Sequence, residues 1–310
     1  MPSPVLVTGS AGFLGSALVR ALRADGSPVR GVDVRPSATT DLVADLLDDG
    51  AWQDAAQEAP VVVHTAALVG ERGRRARFEA LNVEGTRRVL AAAGGRVVHV
   101  SSIVVHGNAF AAGPDGVGED GPVRPTGNPY TDTKIAAEHL ALAAAARGRG
   151  VVVVRPGDVY GPGSVPWTVR PVQVLRAGRL AAPSTGVLSP VFVDDVVDGL
   201  VRAVRSDAAD GRPVHLAGPP VPAAEFFRHY ARMAGRGLPV VPTGLLRALA
   251  TPLGLLGERA PLSRRTLEYV THPAGYSVAR AAELLGWRPQ VDLDEGMRRT
   301  EQWLREEGLL

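Results

Sequence analysis

Short β-branched runs alternate with alanine-rich helical stretches through the first half of the chain. Val5-Leu6-Val7-Thr8 is an apolar run too short for a helix, and after a glycine-punctuated turn Ser16 to Ala24 takes on helical spacing. A second strand is expected over Val29 to Val34, and a third over Val61-Val62-Val63, which leads into His64-Thr65-Ala66-Ala67. Val97-Val98-His99-Val100 and Val151-Val152-Val153-Val154 are continuous apolar runs, the mark of strands covered by helices on both faces. Asn82 to Ala93 and Lys134 to Arg147 supply alanine-rich helices between them. This alternation predicts an α/β fold built on a doubly wound parallel sheet.

Two chemical signals sit on that framework. Gly9-x-x-Gly12-x-x-Gly15 lies between the first strand and the first helix, where small residues let backbone approach a pyrophosphate at a helix N-terminus. Asp33, 24 residues after Gly9, is placed to accept ribose hydroxyls and repel a 2′-phosphate. NAD is therefore preferred, while the neighbouring Arg35 leaves NADP open. The second signal is Tyr130 and Lys134, at i and i+4 on one helix face. A nearby ammonium stabilises a phenolate, which would bring a group of ordinary pKa about 10 toward working range. Ser101-Ser102 follows the Val97–Val100 strand and offers a polar partner at the sheet edge where such folds bind ligands.

Composition sharpens the second signal. Of 34 basic residues, Lys134 is the one lysine. The 310 residues are 45% hydrophobic and carry a net charge of +2, so nucleic acid is not an expected partner. Cysteine is absent, which excludes disulfides, thiolate metal sites and a cysteine nucleophile. The histidines make no metal-ligating pattern, and His64, His99, His106 and His215 are expected to be packed or backbone-bonded; no metal is expected. The start, Met1-Pro2-Ser3-Pro4-Val5, lacks a basic stretch ahead of a long apolar core, and no apolar run approaches the ~20 residues that span a bilayer. A cytoplasmic protein without membrane association is expected.

On these residues the chain resembles the short-chain dehydrogenase/reductase superfamily, in its extended NAD-dependent epimerase/dehydratase-like branch, which implies a Rossmann-type sheet with a smaller C-terminal substrate-binding region. The resemblance matches Tyr130 and Lys134 to the catalytic tyrosine and lysine and Ser102, ahead of Ser101, to the catalytic serine. It assigns cofactor contacts to Gly9, Gly12, Phe13, Leu14, Gly15, Asp33, Arg35, Asp45, Leu46, Thr65, Ala66, Ala67, Tyr130, Lys134, Arg155, Pro156 and Val159. Asn82 resembles the family's structural asparagine. Arg155-Pro156-Gly157-Asp158-Val159-Tyr160-Gly161-Pro162-Gly163 and Val191-Phe192-Val193-Asp194-Asp195-Val196 are characteristic of the branch.

The resemblance further implies that Tyr130 exchanges a proton with a carbonyl as hydride moves to or from the nicotinamide, with Ser102 on the reacting oxygen and Lys134 on the cofactor ribose, holding the phenol's pKa down. Ser102 is followed by Ile103-Val104-Val105 rather than the acidic pair of dehydratases. Leu188 stands where sugar-nucleotide enzymes often carry a diphosphate-clamping arginine, although Arg170 or Arg179 could compensate. The expected reaction is hydride transfer to a small hydrophobic ketone or from a secondary alcohol. Nucleotide-sugar 4-epimerisation with tightly bound NAD is the alternative, and a noncatalytic cofactor-bound sensor or structural protein is a third reading. Pro166 to Val172, including Trp167, and Leu238 to Leu256 are candidate apolar pocket walls, or simply core, and Ala109 to Asn128 reads as a loop over the site.

Residues 1–156 are expected to form the dinucleotide-binding unit, with returns at 191–198 and 214–218, and 157–310 the mainly substrate-binding region interleaved with it. Helices are expected over Ser277 to Trp287 and Leu293 to Glu307. The family resemblance implies a homodimer.

Overall fold

The computed structural model describes residues 3–70, 73–107, 116–253 and 264–310. The first half supplies strands β1 (Val5–Thr8), β2 (Val29–Asp33), β3 (Leu42–Val43), β4 (Val61–His64), β5 (Arg96–Val100) and β6 (Val151–Pro156). Shorter strands follow: β7 (Asp158–Tyr160), β8 (Ala182–Pro183), β9 (Val187–Leu188), β10 (Pro190–Phe192), β11 (Pro213–Leu216), β12 (Val221–Pro222) and β13 (Val240–Val241). The helices of the first half are α1 (Phe13–Ala24), α2 (Ala51–Glu58), α3 (Arg75–Phe78), α4 (Gly85–Ala92) and α5 (Pro129–Ala145). Those of the second are α6 (Arg170–Arg176), α7 (Val193–Arg205), α8 (Ala223–Met233), α9 (Thr243–Leu253), α10 (Arg264–Val270), α11 (Ala279–Leu285) and α12 (Leu293–Glu306).

Seven strands form one parallel sheet in the order β11-β6-β5-β4-β1-β2-β3. The valine runs explain why both faces are covered. Val7, Val63, Val98, Val100, Val152 and Val154 point to one face, where Leu18, Leu22 and Leu200 of α1 and α7 bury them. Their chain neighbours Leu6, Val62, Val97, Val151 and Val153 point to the other, against Trp52, Val89 and Ala141 of α2, α4 and α5. Each such valine buried between helix and sheet contributes about 1.5–3 kcal/mol relative to exposure, so neither face can be uncovered cheaply.

The expected doubly wound parallel sheet is therefore present, with different element ends. α1 starts at Phe13 rather than Ser16, whereas α5 opens at Pro129 as its sequence suggests, because Asn128 caps it by accepting from Tyr130 N at 2.8 Å with proline at the first position. The helix expected from Asn82 begins earlier, as α3, and passes through a π-helical turn at Glu79–Glu84 before α4. β11 joins the sheet beside β6, while β10 pairs with β7 outside it. α7 then packs on α1, and its Asp195 carboxylate accepts from Gln290 N (2.9 Å) and Val291 N (3.0 Å) while Trp287 Nε1 donates to Asp195 O (2.8 Å). That fastens the C-terminal helices to the sheet. Residues 109–115 of the expected loop and 254–256 of the expected pocket wall lie outside the described residues. Among the described residues no helix is long and apolar enough to cross a membrane.

Candidate active site

The glycine turn after β1 is shaped by close approach. Gly9 has φ +74°, and a Cβ on it would lie 2.7 Å from Ala66 N; a Cβ on Gly15 would lie 2.1 Å from Gly9 O and 2.7 Å from Thr65 Oγ1. Thr65 in turn donates to Thr8 O at 2.6 Å, which closes the loop after β4 onto the end of β1. Gly12 occupies the N-cap of α1 without a side-chain cap, so the first-turn N–H groups and the positive end of the helix dipole stay open to an anion. The cradle fits a dinucleotide pyrophosphate.

Asp33, at the end of β2, accepts from Ala11 N and from Arg35 N, both at 3.0 Å, which sets its carboxylate beside the glycine turn. Arg35 folds back over it, with Nη2 donating to Ala11 O at 3.0 Å and Nε 3.6 Å from Asp33 Oδ1. Phe13 lies against the turn at Gly163. Asp45 accepts from Leu47 N in a turn, and Leu46 is buried with Trp52.

Ser102 and Lys134 meet Tyr130 because β5 ends where α5 passes over it. Ser102 caps the short 3-10 turn Ile103–His106, and its side chain faces the Tyr130 phenol closely enough to pull the phenol's pKa down. Ser101 is excluded from that role, since its hydroxyl donates to Glu138 Oε2 at 2.6 Å. Lys134, 4% exposed, donates to Val100 O at 2.6 Å. Burial pushes its ammonium down to about 8, against a smaller opposing pull from Glu138. The expectation that Lys134 holds the phenol's pKa down is corrected here. Burial pushes Tyr130 up to about 12, and the group that opposes this is Ser102, while the Lys134 ammonium donates to the β5 carbonyl.

Asn82 ties these parts together. Its Oδ1 accepts from Leu68 N at 2.7 Å, and its Nδ2 donates to Leu68 O (3.1 Å) and to Thr133 Oγ1 (3.0 Å). One side chain thus links the loop that follows Ala67 to the helix that carries Tyr130 and Lys134.

The Arg155 guanidinium forms a buried pair with Glu138, Nη2 to Oε1 at 2.5 Å, the two side chains 2% and 1% exposed. It also donates to Glu119 O at 2.8 Å. Pro156 and Val159 are likewise buried strand residues, Val159 within the core. The four histidines are buried. His64 sits between Thr8 and Thr86, and His106 Nε2 meets His215 Nε2 at 2.9 Å. Among the described residues neither ring nitrogen of His99 has a partner, and burial, with help from Lys134, lowers its pKa well below the ordinary value.

The second half contributes groups that local spacing could not reveal. Tyr269 of α10 donates to Asp158 Oδ1 at 2.5 Å, and Trp167 stands 5.9 Å from the Tyr269 ring. Leu188 is buried in β9 and packed in the core. Arg170 and Arg179 are exposed.

A doubly wound parallel sheet with a glycine cradle at a helix N-terminus, and a serine, tyrosine and lysine gathered beyond the neighbouring strand, defines an NAD(P)-dependent enzyme of oxidoreductase or epimerase type. The chain belongs to the NAD dependent epimerase/dehydratase family, which it matches over residues 5–217, within the short-chain dehydrogenase/reductase superfamily. It is 29% identical to the 2-alkyl-3-oxoalkanoate reductase of Stenotrophomonas maltophilia, over 95% of this chain and 97% of that one. It is 31% identical to the UDP-glucose 4-epimerase of Mycolicibacterium smegmatis, over 97% and 98%. The solved structure of MoeE5 in complex with UDP-glucose and NAD is 30% identical over 98% of this chain and 99% of that one, with a TM-score of 0.78.

Proposed function

We propose that this chain binds NAD and catalyses hydride transfer at a secondary carbinol or carbonyl carbon, with Ser102, Tyr130 and Lys134 as its catalytic set. The observation that carries the reading is Ser102 at the end of β5 facing the Tyr130 phenol, one helical turn from a buried Lys134. Gly9, Gly12 and Gly15 would hold the pyrophosphate, Asp33 the adenosine ribose, and Thr65 to Ala67 the nicotinamide half. Bound NAD supplies the hydride donor and acceptor. Ser102 orients the reacting oxygen, and Tyr130 gives it a proton in reduction or takes one in oxidation. Reduction suits the resting site, because a phenol pushed up to about 12 carries its proton at neutral pH. Arg35 folded onto Asp33, instead of projecting from it, favours NAD over NADP. Residues 1–156, with 191–198 and 214–218, serve this cofactor half, and the remainder shapes the substrate.

The relatives support 4-epimerisation of a nucleotide sugar best, since one is a UDP-glucose 4-epimerase and a 30% identical structure holds UDP-glucose with NAD. A second reading, reduction of a small hydrophobic ketone, is favoured by the buried Leu188 at the position where sugar-nucleotide enzymes often place an arginine. One experiment separates them. Purified protein is given UDP-glucose and, separately, NADH with a panel of ketones, while 340 nm absorbance and the sugar products are followed. Conversion to UDP-galactose without net NADH supports the epimerase, and steady NADH loss with a ketone supports the reductase. Neither activity, in protein shown to bind NAD, would overturn the catalytic reading.

A further inference from the structure

α10 brings a second tyrosine to the first. Arg265 Nη2 donates to Gly127 O at 3.0 Å, three residues before Tyr130, and Tyr269 lies four residues after Arg265 on the same helix face. The ionised forms of Asp158 and Tyr130 both make the Tyr269 phenol harder to ionise, as expected of groups that share one locality. The Tyr269 ring is half-buried and flanked by Trp167 at 5.9 Å and His272 at 5.7 Å. With its ring half-buried on a helix fastened to the chain just ahead of Tyr130, Tyr269 is placed to line the substrate side of the site.

The chemistry it presents there is set by Asp158. Its carboxyl is 1% exposed, with Oδ2 accepting from Ser189 N at 2.8 Å and Oδ1 accepting from the Tyr269 hydroxyl at 2.5 Å. A phenol has one proton, and here it is committed to the carboxylate. What Tyr269 still offers is oxygen lone pairs, which accept a hydrogen bond and cannot donate one. A ketone oxygen gains nothing from them. A substrate hydroxyl does, and leaving a built acceptor unmatched carries a penalty.

We propose that Tyr269, locked as an acceptor by Asp158, is a specificity residue that takes a hydroxyl on the carbon next to the one Tyr130 serves, so that the enzyme selects α-hydroxy ketones and the corresponding vicinal diols. This rests on Tyr130 being the acid/base. It applies equally to a 4-keto sugar, whose neighbouring carbon carries a hydroxyl, and to a hydroxylated alicyclic ketone.

The test compares matched substrates with the intact enzyme and NAD(H): UDP-glucose against UDP-3-deoxyglucose, and 2-hydroxycyclohexanone against cyclohexanone. In the pair that turns over, wild type should favour the hydroxylated member by roughly 10-fold to 100-fold in kcat/KM, the span of one hydrogen bond to a charge-linked group. Tyr269→Phe should collapse that ratio, raising KM for the hydroxylated member far more than for the other. A brace without a substrate role would lower both members together, and that result overturns the proposal. So does a wild-type ratio near one, which needs no variant to fold. Tyr130→Phe reads the underlying assignment separately: full turnover there overturns the acid/base role, whereas a Tyr269-dependent ratio still supports the hydroxyl contact.

Discussion

Lys134 should leave a thermodynamic signature that no other residue of this chain can produce. It is the one lysine, it is 4% exposed, and burial pushes its pKa from 10.5 down to about 8. The fold penalises the charged ammonium, so the cost is full below pH 8 and is relieved as pH rises toward 10.5, where the unfolded chain also loses its proton. The fall from 10.5 to about 8 corresponds to about 3 kcal/mol, at more than ~1 kcal/mol for each tenfold change in proton affinity. About 2 kcal/mol of it should be recovered between roughly pH 7 and pH 9.5. The assay is urea unfolding of cofactor-free wild type and Lys134→Met across that range. Tyrosines oppose the trend, because burial raises their pKa values and unfolded phenols ionise near pH 10, but they do so equally in both proteins. The difference between wild type and variant should therefore move by about 2 kcal/mol in favour of wild type as pH rises. A flat difference would refute the burial argument and, with it, the picture of a lysine kept at a cost to stability.

Other perturbations test the site and its supports. Tyr130→Phe should lower turnover by roughly 10²-fold to 10⁴-fold while NAD affinity, read by fluorescence titration, stays near wild type. Gly15→Ala puts a methyl 2.1 Å from Gly9 O, so the turn must open; NAD affinity should collapse and the thermal midpoint fall, and unchanged binding would argue against the cradle. Arg155→Met strands the Glu138 carboxylate in the interior and should cost about 3–5 kcal/mol in urea unfolding at pH 8. A loss below ~1 kcal/mol there would mean that water reaches the pair.

Much of the fold was legible because it rests on local pattern. Valine-rich runs of three or four residues specify strands buried on both faces, and the glycines between strand and helix mark the cradle, since only residues without a Cβ permit the approach of Ala66 and Thr65. Tyr130 and Lys134 were nameable from one helical turn of spacing. The partner of Arg155 was not legible because its motif says nothing of Glu138, 17 residues earlier and on another element. Asp158 and Tyr269 escaped for the same reason, being 111 residues apart and joined only when α10 folds over the end of β7.

The sequence by itself determined the class of fold, the family and the identity of the chemical groups, because periodicity, glycine spacing and helix-face spacing act over a few residues. The tertiary structure decided how those groups behave. Whether a serine faces Tyr130 or Glu138, whether an arginine is free or paired, and whether a lysine serves the phenol or a strand carbonyl all depend on burial and on partners far away in the chain. Desolvation and hydrogen bonding set proton affinity, and both are properties of the folded interior rather than of any segment.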